Sequence, residues 1–196
     1  MKIIDISQEL FSARVFPGDS PTVPVRVRSM DDGETYNLTE LTMCVHNGTH
    51  TDAPFHFIND GKTIDEVSLE KYMGECTVVS LDGEITESVI EPVLKSCKPR
   101  LLIKGNILIT EAAATLMSQK LELIGVEGLT VGPLNAPRAV HLILLGKEVA
   151  IIEGLNLDKA KDGEYFLAAQ PLKLEGCDGA PCRAVLIEMQ IKNPAN

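Results

Sequence analysis

The chain has little with which to hold nucleic acid, cross a membrane or staple itself covalently. Its 18 lysines and arginines are outnumbered by 28 acidic residues, for a formal charge of −10. No basic cluster overrides that field locally, which excludes phosphate backbones and anionic lipid surfaces as partners. No stretch approaches the roughly 18 apolar residues of a membrane-crossing helix. Asp5 interrupts the opening MKIIDISQEL where a signal peptide needs an apolar run, so a cytoplasmic location is expected. The five cysteines are odd in number and form no CxxC pair, which suits a reducing compartment rather than a disulfide framework. Cys44, Cys76 and Cys97 read as small buried hydrophobes, and Cys177 and Cys182 as reduced thiols of a hairpin turning at Asp178-Gly179. A GxSxG nucleophile motif is absent as well, which removes the commonest signature of a serine hydrolase.

What remains is ordinary globular material: 196 residues, 44% hydrophobic and 23% charged, enough for one sizeable core and read as a single domain over 1–196. Strands are predicted over 3–7 and, from the alternating VPVRV, over 23–27, separated by a turn at Pro17-Gly18-Asp19. Further strands are expected over 36–45, 76–81, 100–104, 121–126 and 149–152. Two long strands over 165–174 and 183–191 are joined by a turn at 176–181. A short helix is expected over 64–72. Another spans 87–97, with Ser88 and Glu91 as a capping box and Pro92 in its first turn. Thr110 caps a helix over 111–118, and Asn135 caps one over 135–146 that Gly146 ends. Strands outnumber helices in mixed order, so the fold class is α/β with mixed sheets.

Three of the four histidines and an aspartate fall within one eleven-residue stretch, HNGTHTDAPFH from His46 to His56. Imidazole and carboxylate are the ligands of borderline divalent ions, and short spacings close a chelate at little cost in chain entropy. Gly48 and Pro54 break a helix, while Thr49, Thr51 and Asp52 favour turns, so the segment reads as a strand end entering a loop. His50 and Asp52 then project to one side, and Gly48 lets the backbone fold His46 back towards them. The helical HExxH pattern of zinc proteases does not apply, because Asn47 stands where its glutamate belongs.

The pattern HxGTHxDxPxH, carried by His46, Gly48, Thr49, His50, Asp52, Pro54 and His56, resembles that of the cyclase family of metal-dependent hydrolases, which includes bacterial kynurenine formamidases. The likeness extends to Phe16-Pro17-Gly18-Asp19, to VHLILLGKEVAIIEGLNL with His141 and Glu153, and to QPLKLEGCDGAPCRAVLIE. It implies the swivelling β/β/α arrangement. It also implies two divalent ions, zinc first and manganese as the alternative, with His46 and His50 on one metal, His141 on the other, and Asp52 and Glu153 bridging. By the same resemblance His56 is the catalytic acid/base, and Phe16 stands where relatives carry an aromatic residue, usually tryptophan, that touches the substrate. Relatives are commonly homodimers or larger, and the partner is a small-molecule substrate.

Two ions of that kind lower the pKa of a water to about 7 and polarise a carbonyl. With all four histidines assigned, no base remains for a covalent serine or cysteine mechanism. The reading is hydrolysis of an amide, formamide or lactam, with N-formylkynurenine foremost. Cyclisation or dehydration of another small acid, and a non-catalytic metal-binding or ligand-binding role, are the alternatives.

Overall fold

The apolar runs of the chain collect into one nine-stranded mixed sheet in a computed structural model that describes residues 1–188. The first strands are β1 (Ile3–Asp5), β2 (Val23–Arg28), β3 (Leu38–Thr42), β4 (His50–Asp52), β5 (Met73–Ser80) and β6 (Gly83–Ile85). Then come α1 (Glu87–Leu94), β7 (Arg100–Lys104), β8 (Ile107–Ile109), α2 (Glu111–Ser118), β9 (Leu123–Val126) and α3 (Arg138–Leu145). The chain closes with β10 (Ala150–Glu153), β11 (Gly163–Ala168), β12 (Gly179–Pro181) and β13 (Val185–Ile187). The large sheet runs β1-β13-β11-β5-β7-β9-β10-β4-β12. Its centre, β5 to β10, is parallel and its flanks are antiparallel.

Parallel strands are buried on both faces and therefore read as nearly continuous apolar runs. LLIK, LIGV and AIIE are such runs, and their side chains divide strictly by the two-residue period. Leu102, Leu123 and Ile152 enter a core with Ile6, Tyr72 and Leu167. Ile103, Ile124 and Ile151 enter the other, under Met117 of α2 and Leu144 of α3. Glu153, two residues beyond Ile151, therefore faces the helical side.

Several elements depart from expectation for local reasons. The predicted strand over 36–45 is the shorter β3, which pairs with β2 outside the main sheet and leaves 43–49 as the loop that carries His46. The predicted helix over 64–72 is two 3-10 turns, Ile64–Glu66 and Leu69–Tyr72, the first closed by a reciprocal Thr63–Glu66 box. In α1 the cap position is Thr86, so Pro92 falls inside the helix, which ends two residues later. Helix α3 starts behind Pro137, not at an Asn135 cap. The expected turn over 176–181 contains β12, an extended strand beside β4. Cys177 and Cys182 thus lie at opposite ends of an extended segment, and all five thiols are free. Cys44 is half-exposed on a cavity instead of in a core. The end of the predicted strand over 183–191 lies outside the described residues.

Candidate active site

β4 is hydrogen-bonded along both edges, to β10 and to β12. His50 and Asp52 share one face by the two-residue period, and Glu153 sits directly opposite His50 in the register. Thr51 points the other way, with its Oγ1 3.5 Å from the Tyr72 hydroxyl. Helix α3 covers the ligand face and supplies His141, whose Nε2 lies 3.1 Å from Glu153 Oε1 and 3.4 Å from Asp52 Oδ2. His46 arrives from the 43–49 loop, where Gly48 adopts a left-handed φ of 67°. Its Nδ1 is 3.0 Å from Asp52 Oδ1. Gly179 of β12 makes room for that ring, since a Cβ there would stand 2.7 Å from His46 Cε1.

One nitrogen of each ring is spoken for. His50 Nδ1–H donates to the Gly48 carbonyl at 3.1 Å, and His141 Nδ1–H to the Pro137 carbonyl at 2.8 Å. His46 Nε2–H donates to Asp178 Oδ2 at 2.9 Å. These partners set the tautomers, so His50 Nε2, His141 Nε2 and His46 Nδ1 are the nitrogens turned to the carboxylates. The carboxylates divide likewise. Asp52 presents Oδ1 to His46 and, at 3.5 Å, to His50, while Oδ2 faces His141. Glu153 presents Oε2 to His50 at 3.5 Å and Oε1 to His141, with the Val131 N–H donating to Oε1 at 2.8 Å.

The arrangement fits a metal ion on the state of Asp52. The residue is buried, and Oδ2 makes no hydrogen bond because the His141 approach is misaligned. An unpaired carboxylate oxygen away from water is costly unless a proton or a cation meets it. Ligand atoms of His50, Asp52 and Glu153 lie within 4.8 Å of one another, as do those of His46, Asp52 and His56. Asp52 belongs to both groups, and the nitrogen and oxygen donors suit a divalent transition ion.

Protonation records the same crowding of charge. Burial pulls the imidazoles down, but hydrogen bonds to Asp178 and Asp52 more than offset it at His46 and raise it to about 9. Asp52 and Glu153 do the same for His50 and His141, raising each to about 10. Burial works against the Asp52 carboxylate, yet the imidazoles of His141, His46 and His50 gathered around it hold it well below the usual range. Without metal, protons occupy positions that a cation would take.

His56 follows Pro54 in a 3-10 turn, Pro54–His56, and stacks on His46 with ring centroids 4.1 Å apart. Its Nδ1–H donates to Asp178 Oδ2 at 3.3 Å. Asp178 therefore holds both His46 and His56, and those two bonds keep its carboxyl far below the ordinary range. Sequence reasoning passed over Asp178, because Asp178-Gly179 looks like any turn and only the β12–β4 pairing brings it here. A cavity of about 330 Å³ opens onto the group and is also lined by Phe16, Asp19, Cys44, Leu129 and Thr130. Phe57 also lines it and packs on His141 at 4.5 Å between centroids, whereas Phe55 lies outside.

Comparison with known proteins accords with this geometry. Residues 4–100 match the family model described as "Putative cyclase". The kynurenine formamidase of Bacillus anthracis is 34% identical over 94% of this chain and 97% of its own length, and that of Erythrobacter litoralis is 33% identical over 96% and 94%. A solved structure titled a potential metal-dependent hydrolase with cyclase activity superposes with a TM-score of 0.81 at 28% identity, over 94% of this chain and 96% of the other. Isatin hydrolase A from Ralstonia solanacearum, at 20% identity, shares the fold with a TM-score of 0.82 over 95% of this chain and 92% of its own. The chain belongs to the cyclase family of metal-dependent hydrolases.

Proposed function

We propose that the protein hydrolyses the C–N bond of an amide or formamide, with N-formylkynurenine or a related aryl formamide as substrate, using two divalent ions of which zinc is the first choice. The observation that carries this reading is that Asp52 and Glu153 each spread their two oxygens between the His50 and His141 sides of one buried group. His46, His50 and Asp52 would hold one ion and His141 the second, with Asp52 and Glu153 shared. Bound there, the ions supply an activated water and polarise the scissile carbonyl.

The chain's own residues do the rest. Asp178 accepts the Nδ1–H of His56 and so leaves Nε2 free towards the cavity. So placed, His56 takes a proton from the attacking water and delivers it to the leaving nitrogen as the C–N bond breaks. For a formanilide the products are formate and the free aniline. His56 also lies within ligand distance of Asp52, but with 28% of its side chain exposed it is the most open of the four histidines, as a proton carrier requires. Phe16 and Phe57 supply the apolar surface for an aryl group.

The protein is also read as a homodimer or larger homo-oligomer. Every residue of β2 and β3 is exposed, including Val23, Val25, Leu38 and Leu41. A two-stranded hairpin alone in water is marginal at best, and a second copy would cover it. Light scattering should return at least twice the mass of one chain. The five free thiols suit the reducing cytoplasm.

The deciding experiment is turnover of formanilides, lactams, cyclic imides and small hydroxy acids by protein loaded with zinc or manganese. Formanilide hydrolysis should be abolished by chelation and restored by metal, at about two ions per chain. Dehydration without hydrolysis would assign the alternative chemistry, and tight metal binding with no turnover of any class would leave a binding protein.

A further inference from the structure

The cavity holds one oxygen donor that the chemistry above does not use. Thr130, half-buried, carries the single hydroxyl among the described residues that line it. Its Oγ1 accepts the Gly132 N–H at 3.2 Å, and its own O–H meets no acceptor among the described residues. The other donors are committed. His50 and His141 each give a ring N–H to a backbone carbonyl, His46 gives one to Asp178, and His56 carries protons. The Cys44 thiol approaches Asp19 at 3.8 Å.

The hydroxyl is held close to the reacting centre. Thr130 precedes Val131, whose N–H donates to Glu153 Oε1 at 2.8 Å, so it stands next to a carboxylate read as shared between the ions. The loop over 127–132 is fixed along its length. Glu127 accepts the Gly105 and Leu157 N–H groups at 2.8 Å each, and the Gly128 carbonyl accepts the Gly154 N–H at 2.9 Å. Gly132 packs on Pro137, where a Cβ would stand 2.9 Å from the carbonyl oxygen. A donor fixed in advance costs little to order when a substrate arrives.

We infer that Thr130 is a specificity-determining residue, whose hydroxyl donates to a carbonyl oxygen carried on the aryl ring ortho to the formamide nitrogen. The inference rests on reading the site as an aryl formamide hydrolase. With the scissile group at the ligand cluster and the ring on Phe16 and Phe57, the ring position beside the nitrogen is the one kept nearest Glu153, and so nearest Thr130. As the C–N bond breaks, its electron pair goes to the nitrogen, which His56 protonates, and the acyl carbon leaves as formate with the oxygen of water. An ortho carbonyl shares the charge growing on that nitrogen by conjugation. A donor already aimed at its oxygen therefore binds more strongly in the transition state than in the ground state.

The test uses metal-loaded protein and three substrates: 2-acetylformanilide, 2-ethylformanilide, which keeps the shape without the oxygen, and 4-acetylformanilide, which keeps the acetyl group but moves it away. Thr130→Val should lower kcat/KM for 2-acetylformanilide by about tenfold, the upper end for one neutral hydrogen bond, and change the other two by less than about twofold. Thr130→Ser should stay close to the parent on all three. Metal content should be unchanged in both variants, and Thr130→Ala carries the same test if the valine variant does not fold. Equal losses on all three substrates would make Thr130 a support of the Glu153 loop and overturn the inference, as would no loss on any. If no formanilide is turned over, the hydrolase reading fails by itself. Calorimetric titration of 2-aminoacetophenone and 2-ethylaniline then decides Thr130: tighter binding of the ketone, lost in Thr130→Val, supports its role, and equal or absent binding overturns it.

Discussion

Two walls of one site are built differently. Asp52, His141, His50 and Glu153 leave 0%, 3%, 4% and 5% of their side chains exposed, and they stand on strands paired at fixed register and on a packed helix. His46, His56 and Asp178 leave 12%, 28% and 41% exposed, and come from a loop, a 3-10 turn and the residue before an edge strand. A buried charge must be paired, so the first wall suits the cation-holding role proposed for it. A proton carrier must meet water and substrate, which only the second wall allows.

The hardest test of that division is Asp52→Ala. Removing the carboxylate common to both ligand groups should cost both ions and depress turnover beyond the 10² to 10⁴ expected for losing an acid/base group alone. Metal analysis showing full occupancy in this variant would break the comparison. His56→Ala, on the open wall, should instead keep its metal while kcat drops by about 10² to 10⁴. Simultaneous loss of ions would make His56 a ligand and erase the distinction between walls.

Asp178→Asn sharpens the comparison, because Asp178 orients a residue of each kind. Removing its charge while keeping its shape should cost about 10- to 100-fold in metal affinity or activity, the usual scale for a group that orients a ligand. An effect confined to kcat would assign Asp178 to His56, and one confined to metal affinity would assign it to His46.

The smallest expected effect is on pH dependence. His50 and His141 are raised to about 10 without metal, so cations must displace protons, and apparent metal affinity should strengthen from pH 6 to pH 8 with protons released. Calorimetry in two buffers of different ionisation enthalpy measures that release. Stability of the metal-free protein runs the opposite way. A histidine whose folded pKa lies above its unfolded value contributes stability that is complete below about pH 6.5 and lost as pH rises through about 10. Chelated protein should therefore melt lower at pH 9.5 than at pH 6.5.

The portions of this architecture legible in the chain are those where one interaction range dominates. Thr110 caps α2 as its position suggests, its Oγ1 accepting the Ala113 N–H, and RLLIK forms β7 with the expected bounds. The four ligand-type residues between His46 and His56 are close enough in sequence for chelation to be argued from spacing alone. Local cues misled where a longer-range contact overrode them. The residues expected to run straight into His46 are drawn instead into the β2–β3 hairpin, and Asp178-Gly179 is pulled out of a turn by pairing with β4.

By itself the sequence determined the donor chemistry: imidazoles and a carboxylate at chelating intervals, an acidic surface, no competing nucleophile motif, and two apolar faces alternating along the central strands. Tertiary structure alone decided which groups meet. The β10–β4 register sets Glu153 opposite His50, helix α3 lowers His141 onto both carboxylates, and β12 carries Asp178 across 132 positions to His46. Strand register and helix docking depend on burial summed over the whole core, a quantity no short stretch of chain contains.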